Sequence, residues 1–304
     1  MEKSKILFLW LNDREFHAQN AEKRGVDVSQ VYKNHSKILK AFRRLIIKFP
    51  VITIRPWLNS KWVKKLKKYN TIIIHASKLT PPVVAFINKE HPDARVIVWY
   101  WNPIIKTIAL DAFSHLNCEV WTFDEKDSEE YNIPHNTQYY FSNCHFAALN
   151  KRLDNDIFFV GGDKGRLDYL IKAKESFISA GARVFFNITN TAKVKVKNDI
   201  YQDRMSYDDV VHKILQSRAI LDVVSQNQSG LTLRPLESIF YERKLITNDK
   251  SIIERDFYRK ENIFILEHDE VSNINEFINS PYKPLPKELV NKYDFDAWLA
   301  RFFM

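Results

Sequence analysis

The stretch Ala219-Ile-Leu-Asp-Val-Val-Ser-Gln-Asn-Gln-Ser-Gly-Leu-Thr-Leu-Arg-Pro-Leu-Glu-Ser238 reads as a strand, a polar loop with one glycine, and the opening of a helix. A short apolar run rich in β-branched residues fits a parallel strand buried on both faces. The same rhythm surrounds it, with strand-like runs at 157–160, 184–187, 244–247 and 263–266. The first half repeats it at 6–11, 51–54, 71–75, 95–101 and 119–123, with helical patterns over 30–48 and 60–69 between. Strands alternating with helices imply right-handed βαβ units around a parallel sheet. The expected fold class is α/β, with two Rossmann-like lobes. The polar stretch 143–155 separates them, giving lobes over 1–145 and 146–285. Residues 286–304 read as one helix that packs Tyr293, Phe295, Trp298, Leu299 and Phe302 across both lobes.

A chain of 304 residues suits two lobes of about 150 residues each. Hydrophobic residues make up 45% and glycines number 6, which excludes disordered and fibrous classes. Cys118 and Cys144 are too few for a disulfide framework or a zinc site. The apolar runs are far below the roughly 20 residues a membrane helix needs. The N-terminus lacks a signal-peptide pattern, so the expected location is the cytoplasm. A net charge of +9 fits nucleic acid, an anionic membrane surface or phosphorylated ligands, and does not choose among them.

Three of the six glycines fall in Phe159-Val-Gly-Gly-Asp-Lys-Gly-Arg-Leu-Asp168, between a predicted strand and a helical pattern over 167–180. Glycine lets backbone approach a ligand, and amides at a helix start favour an anion. With Lys164 and Arg166 beside Gly162, diphosphate binding is the chemical suggestion; a tight turn with solvated charges is the plainer alternative. Neither G-x-G-x-x-G nor a Walker loop is present. In the second loop Ser229, Gly230 and Thr232 supply donors to phosphate, and Arg234 its countercharge. Glu237 is long enough to accept from ribose hydroxyls. The plainer alternative makes Glu237 a helix-dipole residue and Arg234 a surface charge.

The pattern D-I-F-F-V-G…R, followed by S-R-A-I-L-D-V…Q-x-G-L-T-x-R-P-x-E-S…K-L-I-T-N, resembles a family of bacterial glycosyltransferases of lipopolysaccharide and capsule biosynthesis. Trp121-Thr-Phe-Asp-Glu-Lys-Asp-Ser-Glu-Glu-Tyr131 is similar to a further segment of that family. The resemblance implies a GT-B enzyme with a central cleft. Its co-substrate is a nucleotide-sugar, with no cofactor and no protein-bound metal. Its acceptor is a glycan, often lipid-linked, and no nucleic acid is involved. Gln228, Ser229, Gly230, Leu231, Thr232, Arg234 and Glu237 then fall on the donor loop, and Gly162, Lys164 and Arg166 on the first loop of that lobe. Two departures stand out. Retaining enzymes of the related E-x7-E pattern have a glutamate near Ser229 that is missing here, so the stereochemical outcome stays open, and Trp101-Asn102 replaces a frequent Trp-Asp, which argues against a catalytic carboxylate at that point.

An inverting reaction needs a base for the acceptor hydroxyl. The polar strand ends of the first lobe offer Asp13 first, then His17 and His75. A retaining reaction leans on Lys164, Arg166 and Arg234 around the leaving diphosphate. The basic runs 37–48 and 61–68 place cations on amphipathic helices, which suits peripheral contact with anionic lipid as well as a solvated face. Two rival functions fit the same charges: a basic nucleic-acid-binding protein and a non-catalytic sugar-nucleotide-binding subunit.

Overall fold

The structure is a computed structural model and describes residues 2–11, 15–46, 53–142, 153–191, 199–224 and 230–304. Two compact units make up the chain. The first holds Met1–Gln138, Ser229–Leu231 and Trp298–Met304; the second holds Tyr139–Gln228 and Thr232–Ala297. Each is built on one five-stranded, all-parallel sheet.

The first unit runs β1 (Ile6–Trp10), α1 (Phe16–Lys23), β2 (Asp27–Gln30), α2 (Lys37–Ile46), α3 (Ser60–Val63), β3 (Thr71–His75), α4 (Pro81–Glu90), β4 (Arg95–Tyr100), β5 (Glu119–Thr122) and α5 (Glu125–Tyr131). Its sheet order is β2-β1-β3-β4-β5. Strand β1 is buried at every position, as a central strand covered on both faces must be. Asp124 caps α5 through bonds from the Lys126 and Asp127 amides, and Asn132 ends the helix in the left-handed region at φ 49°.

The second unit runs β6 (Asn155–Gly162), α6 (Leu167–Ser179), β7 (Val184–Thr189), α7 (Tyr207–Leu215), β8 (Ser217–Asp222), α8 (Leu233–Tyr241), β9 (Lys244–Thr247), β10 (Ile263–Ile265), α9 (Ile274–Asn279), α10 (Lys287–Lys292) and α11 (Phe295–Arg301). Its order, β10-β9-β8-β6-β7, repeats the first sheet's order. In both units the chain reverses direction across the sheet between its first and third strands. Open α/β sheets take ligands beyond the carboxyl ends of the strands at that switch point.

Several elements differ from the sequence reading. The helix expected over 30–48 starts only at Lys37, and β2 comes before it. Long-range bonds explain this: the Val31 amide donates to Trp10 O at 2.8 Å and Tyr32 Oη to Leu79 O at 2.6 Å, which keeps this stretch out of the helix. Of the strand expected over 51–54, residues 51–52 lie outside the described ones and 53–54 are not strand; β2 takes the edge of the sheet. The helix expected over 60–69 stops at Val63 and resumes as a 3-10 turn at Leu66–Lys68, in a stretch that carries five lysines over 61–68. The single C-terminal helix is two, α10 and α11. The break at Tyr293-Asp294 pairs with residue 140: the Tyr140 amide donates to Tyr293 O and the Phe295 amide to Tyr140 O. The boundary between units falls within α11, at Ala297 and Trp298.

Candidate functional site

The second unit's switch point lies between β6 and β8. Gly162 ends β6, Asp222 ends β8, and α6 and α8 begin just beyond them. Thr232 caps α8 by accepting from the Arg234 amide at 3.2 Å, and its hydroxyl donates to Asp222 Oδ2 at 2.8 Å. Arg234 reaches back over β6 to Val160 O at 3.4 Å. Arg166, at the start of α6, turns a guanidinium nitrogen to Gly162 O at 3.4 Å. Two cations and two helix N-termini therefore share one end of the sheet, the arrangement that recruits a phosphate group.

Glu237 anchors this arrangement from below. It is 0% exposed, pairs with Arg234 through Oε2, and accepts from Tyr207 Oη through Oε1 at 2.5 Å. Tyr140 joins Tyr207 at 2.9 Å and Tyr241 at 2.9 Å. Burial works against the Arg234 charge, yet the Glu237 carboxylate beside it more than compensates, and its pKa is raised. With both oxygens engaged inside the protein, Glu237 holds Arg234. The ribose contact that the sequence suggested would require one of these two bonds to open.

Asp222 is the member of this site that sequence reasoning missed. Burial pushes its pKa up to about 6, against the Thr232 hydrogen bond and the positive charges of Arg234 and Arg166. A carboxylate at the end of an apolar central strand is the signal in the sequence, where Asp222 follows Ala219-Ile-Leu221. Asp163 organises the neighbouring loop. It accepts from the Lys164 amide at 2.7 Å, from the Thr191 amide at 3.0 Å, from the Thr191 hydroxyl, and from Tyr201 Oη at 2.8 Å. Lys164 adopts φ 46° within this loop and is exposed. Gly162 is required by packing, because a Cβ there would overlap the Thr191 methyl.

Four predicted donor residues remain. Gln228 and Ser229 lie outside the described residues. Gly230 and Leu231 belong to the first unit, where the Gly230 amide donates to Asp124 Oδ2 at 2.9 Å and a Cβ on Gly230 would overlap the Phe123 ring. The structure thus brings together Gly162, Arg166, Thr232, Arg234 and Glu237, with Lys164 on the adjoining loop.

Of the three candidate bases, Asp13 lies outside the described residues. His17 and His75 sit in an aromatic cluster at the carboxyl ends of β1 and β3. The His75 ring is 4.3 Å from Trp10 and 5.3 Å from Trp101, and His17 is 5.2 Å from Trp101. Burial lowers the pKa of each to about 3, with His17 adding to the effect at His75. An imidazole with so low a pKa stays neutral and is a weak base at neutral pH, so a role for either ring in taking the acceptor proton would need its surroundings to open to the acceptor. Among the described residues no group of three or more His, Cys, Asp or Glu is placed to hold a metal ion.

No family profile matches the chain, and no curated protein matches its sequence. Solved structures do. The chain is similar to the DNA-modifying enzyme beta-glucosyltransferase, solved with and without its substrate uridine diphosphoglucose, at 11% identity and TM-score 0.50 over 97% of this chain and 94% of that one. The fold is GT-B. Weaker likenesses are AviGT4, a glycosyltransferase involved in avilamycin A biosynthesis (9% identity, TM-score 0.49, 80% of this chain and 74% of that one), and the glycotransferase of kitacinnamycin (10%, 0.47, 98% and 97%).

Proposed function

We propose that this GT-B chain is a glycosyltransferase that takes a sugar from a nucleoside-diphosphate sugar and passes it to a cell-surface glycan, of lipopolysaccharide or capsule type, on the cytoplasmic side of the membrane. One observation carries the donor reading: Arg166 and Arg234 meet the starts of α6 and α8 at the switch point of the second sheet, with Arg234 locked by buried Glu237. As the bond from the sugar's anomeric carbon to the diphosphate breaks, negative charge grows on the leaving oxygens. Fixed guanidinium groups and helix amides stabilise that charge without having to reorganise. The chain's own cations supply the neutralisation in this reading. The acceptor class is supported by the sequence resemblance alone.

The test is a thermal-stability screen against UDP, GDP, CMP and dTDP. A ligand that binds only the folded chain at 100 times its Kd adds about 2.7 kcal/mol of stability. Stabilisation by one diphosphate, lost in Arg166→Ala, supports the reading; no stabilisation by any of them overturns it.

A further inference from the structure

The positive charge of this protein is concentrated in one segment. Residues 28–89 contain 14 Lys and Arg and no Asp or Glu, while the rest of the chain has 32 Lys and Arg against 37 Asp and Glu. The whole excess of +9 thus comes from 62 residues, and the remainder is net negative.

Within that segment, α2 is turned inside out. Arg43 faces the protein, 7% exposed, with its guanidinium 4.0 Å over the Tyr32 ring. Ile38, Phe42 and Leu45 are exposed at 81%, 53% and 58%, the Phe42 ring also lying 6.2 Å from that of Trp57, and Leu39 beside them is exposed too. Their i, i+4, i+7 spacing puts the three on one stripe of the helix. Lys37 and Arg44 flank that stripe, and both are exposed. A soluble helix ordinarily buries its apolar stripe against its own core. Here the cation is inward and the hydrocarbon is outward.

The charge pattern selects what covers this face. A second copy of the chain would bring another acid-free basic segment against the first, and the two would repel. A nucleic acid would neutralise Lys37 and Arg44 but leave Ile38, Phe42 and Leu45 in water. An anionic bilayer uses both sets of groups, apolar side chains entering the acyl boundary while long cationic side chains reach the phosphates.

We infer that α2 is a membrane-docking helix, which lays Ile38, Phe42 and Leu45 into the interface of an anionic bilayer with Lys37 and Arg44 on the lipid phosphates. No described helix is long and apolar enough to cross a membrane, so the contact is peripheral. The inference deepens the proposed transfer to a membrane-borne glycan by naming the docking face. It rests on residues of the first unit, whereas Arg166 and Arg234 belong to the second.

The experiment is co-sedimentation of the full chain with vesicles of phosphatidylcholine, with and without phosphatidylglycerol, at rising salt, using Ile38→Ser/Phe42→Ser and Lys37→Gln/Arg44→Gln variants. Binding is expected only to phosphatidylglycerol vesicles and to weaken with salt. The apolar variant should lose it, and the charge variant should weaken it on the order of 30-fold. Diphosphate-induced thermal stabilisation, measured in parallel, is expected to stay at the wild-type value in both variants, because these side chains lie at the surface. That second readout separates the two ideas: lost stabilisation by nucleotide with intact vesicle binding sinks the donor site alone, and the converse sinks the docking helix alone. Equal binding to both vesicle types, no binding to either, or duplex DNA binding that Ile38→Ser/Phe42→Ser leaves intact while vesicles are ignored, would overturn the inference.

Discussion

Tyr207 donates its hydroxyl proton to Glu237 Oε1 at 2.5 Å, and that bond sets the direction of the two beyond it. A tyrosine has a single hydroxyl proton. With Tyr207's spent on Glu237, Tyr140 must donate at the 2.9 Å contact with Tyr207, and Tyr241 in turn to Tyr140. Three hydroxyls thus point one way, toward a carboxylate whose other oxygen holds Arg234. The chain fixes a cation at the sheet end, and the donor reading depends on that cation.

Breaking this anchor destabilises the second unit. Glu237→Ala removes the partner of a largely buried guanidinium and is expected to cost about 3–5 kcal/mol in urea unfolding. Arg234→Met/Glu237→Leu, which replaces the pair with apolar side chains, recovers most of that loss yet binds no nucleotide. A double variant that keeps wild-type nucleotide affinity contradicts the role given to Arg234.

Asp222 makes stability depend on pH. Its folded pKa is about 6 against an ordinary 3.8, so the folded state holds the proton more tightly than the unfolded one. The contribution of Asp222 is therefore full below about pH 4, falls as pH rises to about 6, and is flat above, a change on the order of 2–3 kcal/mol. Asp222→Asn keeps an oxygen for the Thr232 hydroxyl and removes the titration. Urea melts at pH 4 and pH 7.5 should show the variant matching wild type at the lower pH and exceeding it at the higher; equal behaviour at both rejects the assignment.

The histidines carry the opposite sign. With folded pKa values of about 3 against 6.5, His17 and His75 stay neutral when folded and take up protons when unfolded. They favour the native state above about pH 6.5, and that contribution drains away as the pH falls toward 3. Proton NMR of the imidazole resonances should show neither ring titrating between pH 5 and 8, whereas a titration midpoint near 6.5 for either ring would place it in water.

Gly162 tests packing against ligand approach. Gly162→Ala drives a methyl into the Thr191 side chain and is expected to cost about 1–3 kcal/mol. Thr191→Ser removes the offending methyl and keeps the hydroxyl that bonds Asp163, so the double variant should regain most of the stability. Failure of that rescue, seen in thermal melts, points to a different cause.

Much of this architecture is legible in the chain itself. The buried strands β1, β3, β4, β6, β8 and β9 announce themselves as apolar runs, because parallel strands covered on both faces need no polar alternation. Strand β2, Asp-Val-Ser-Gln, carries no such signal and is held at the edge by its pairing with β1. At the site, the glycines, Arg166, Thr232 and Arg234 were marked by their place between strand and helix. The partners of Glu237 were not, since Tyr207 is 30 residues away and its hydrogen bond forms only once α7 and α8 have packed on the sheet. The aromatic burial of His17 and His75 escaped for the same reason: it depends on Trp10 and Trp101, brought together by tertiary contacts.

Isothermal titration calorimetry of wild-type and Arg166→Ala protein with UDP and GDP tests the donor site most directly. One diphosphate should bind wild type saturably, and losing one charge-assisted contact should weaken it by about tenfold or more while the variant's thermal melt stays close to wild type. Equal affinity in wild type and the folded variant, or absence of binding by these two and by dTDP as well, would contradict a phosphate site built on Arg166 and Arg234.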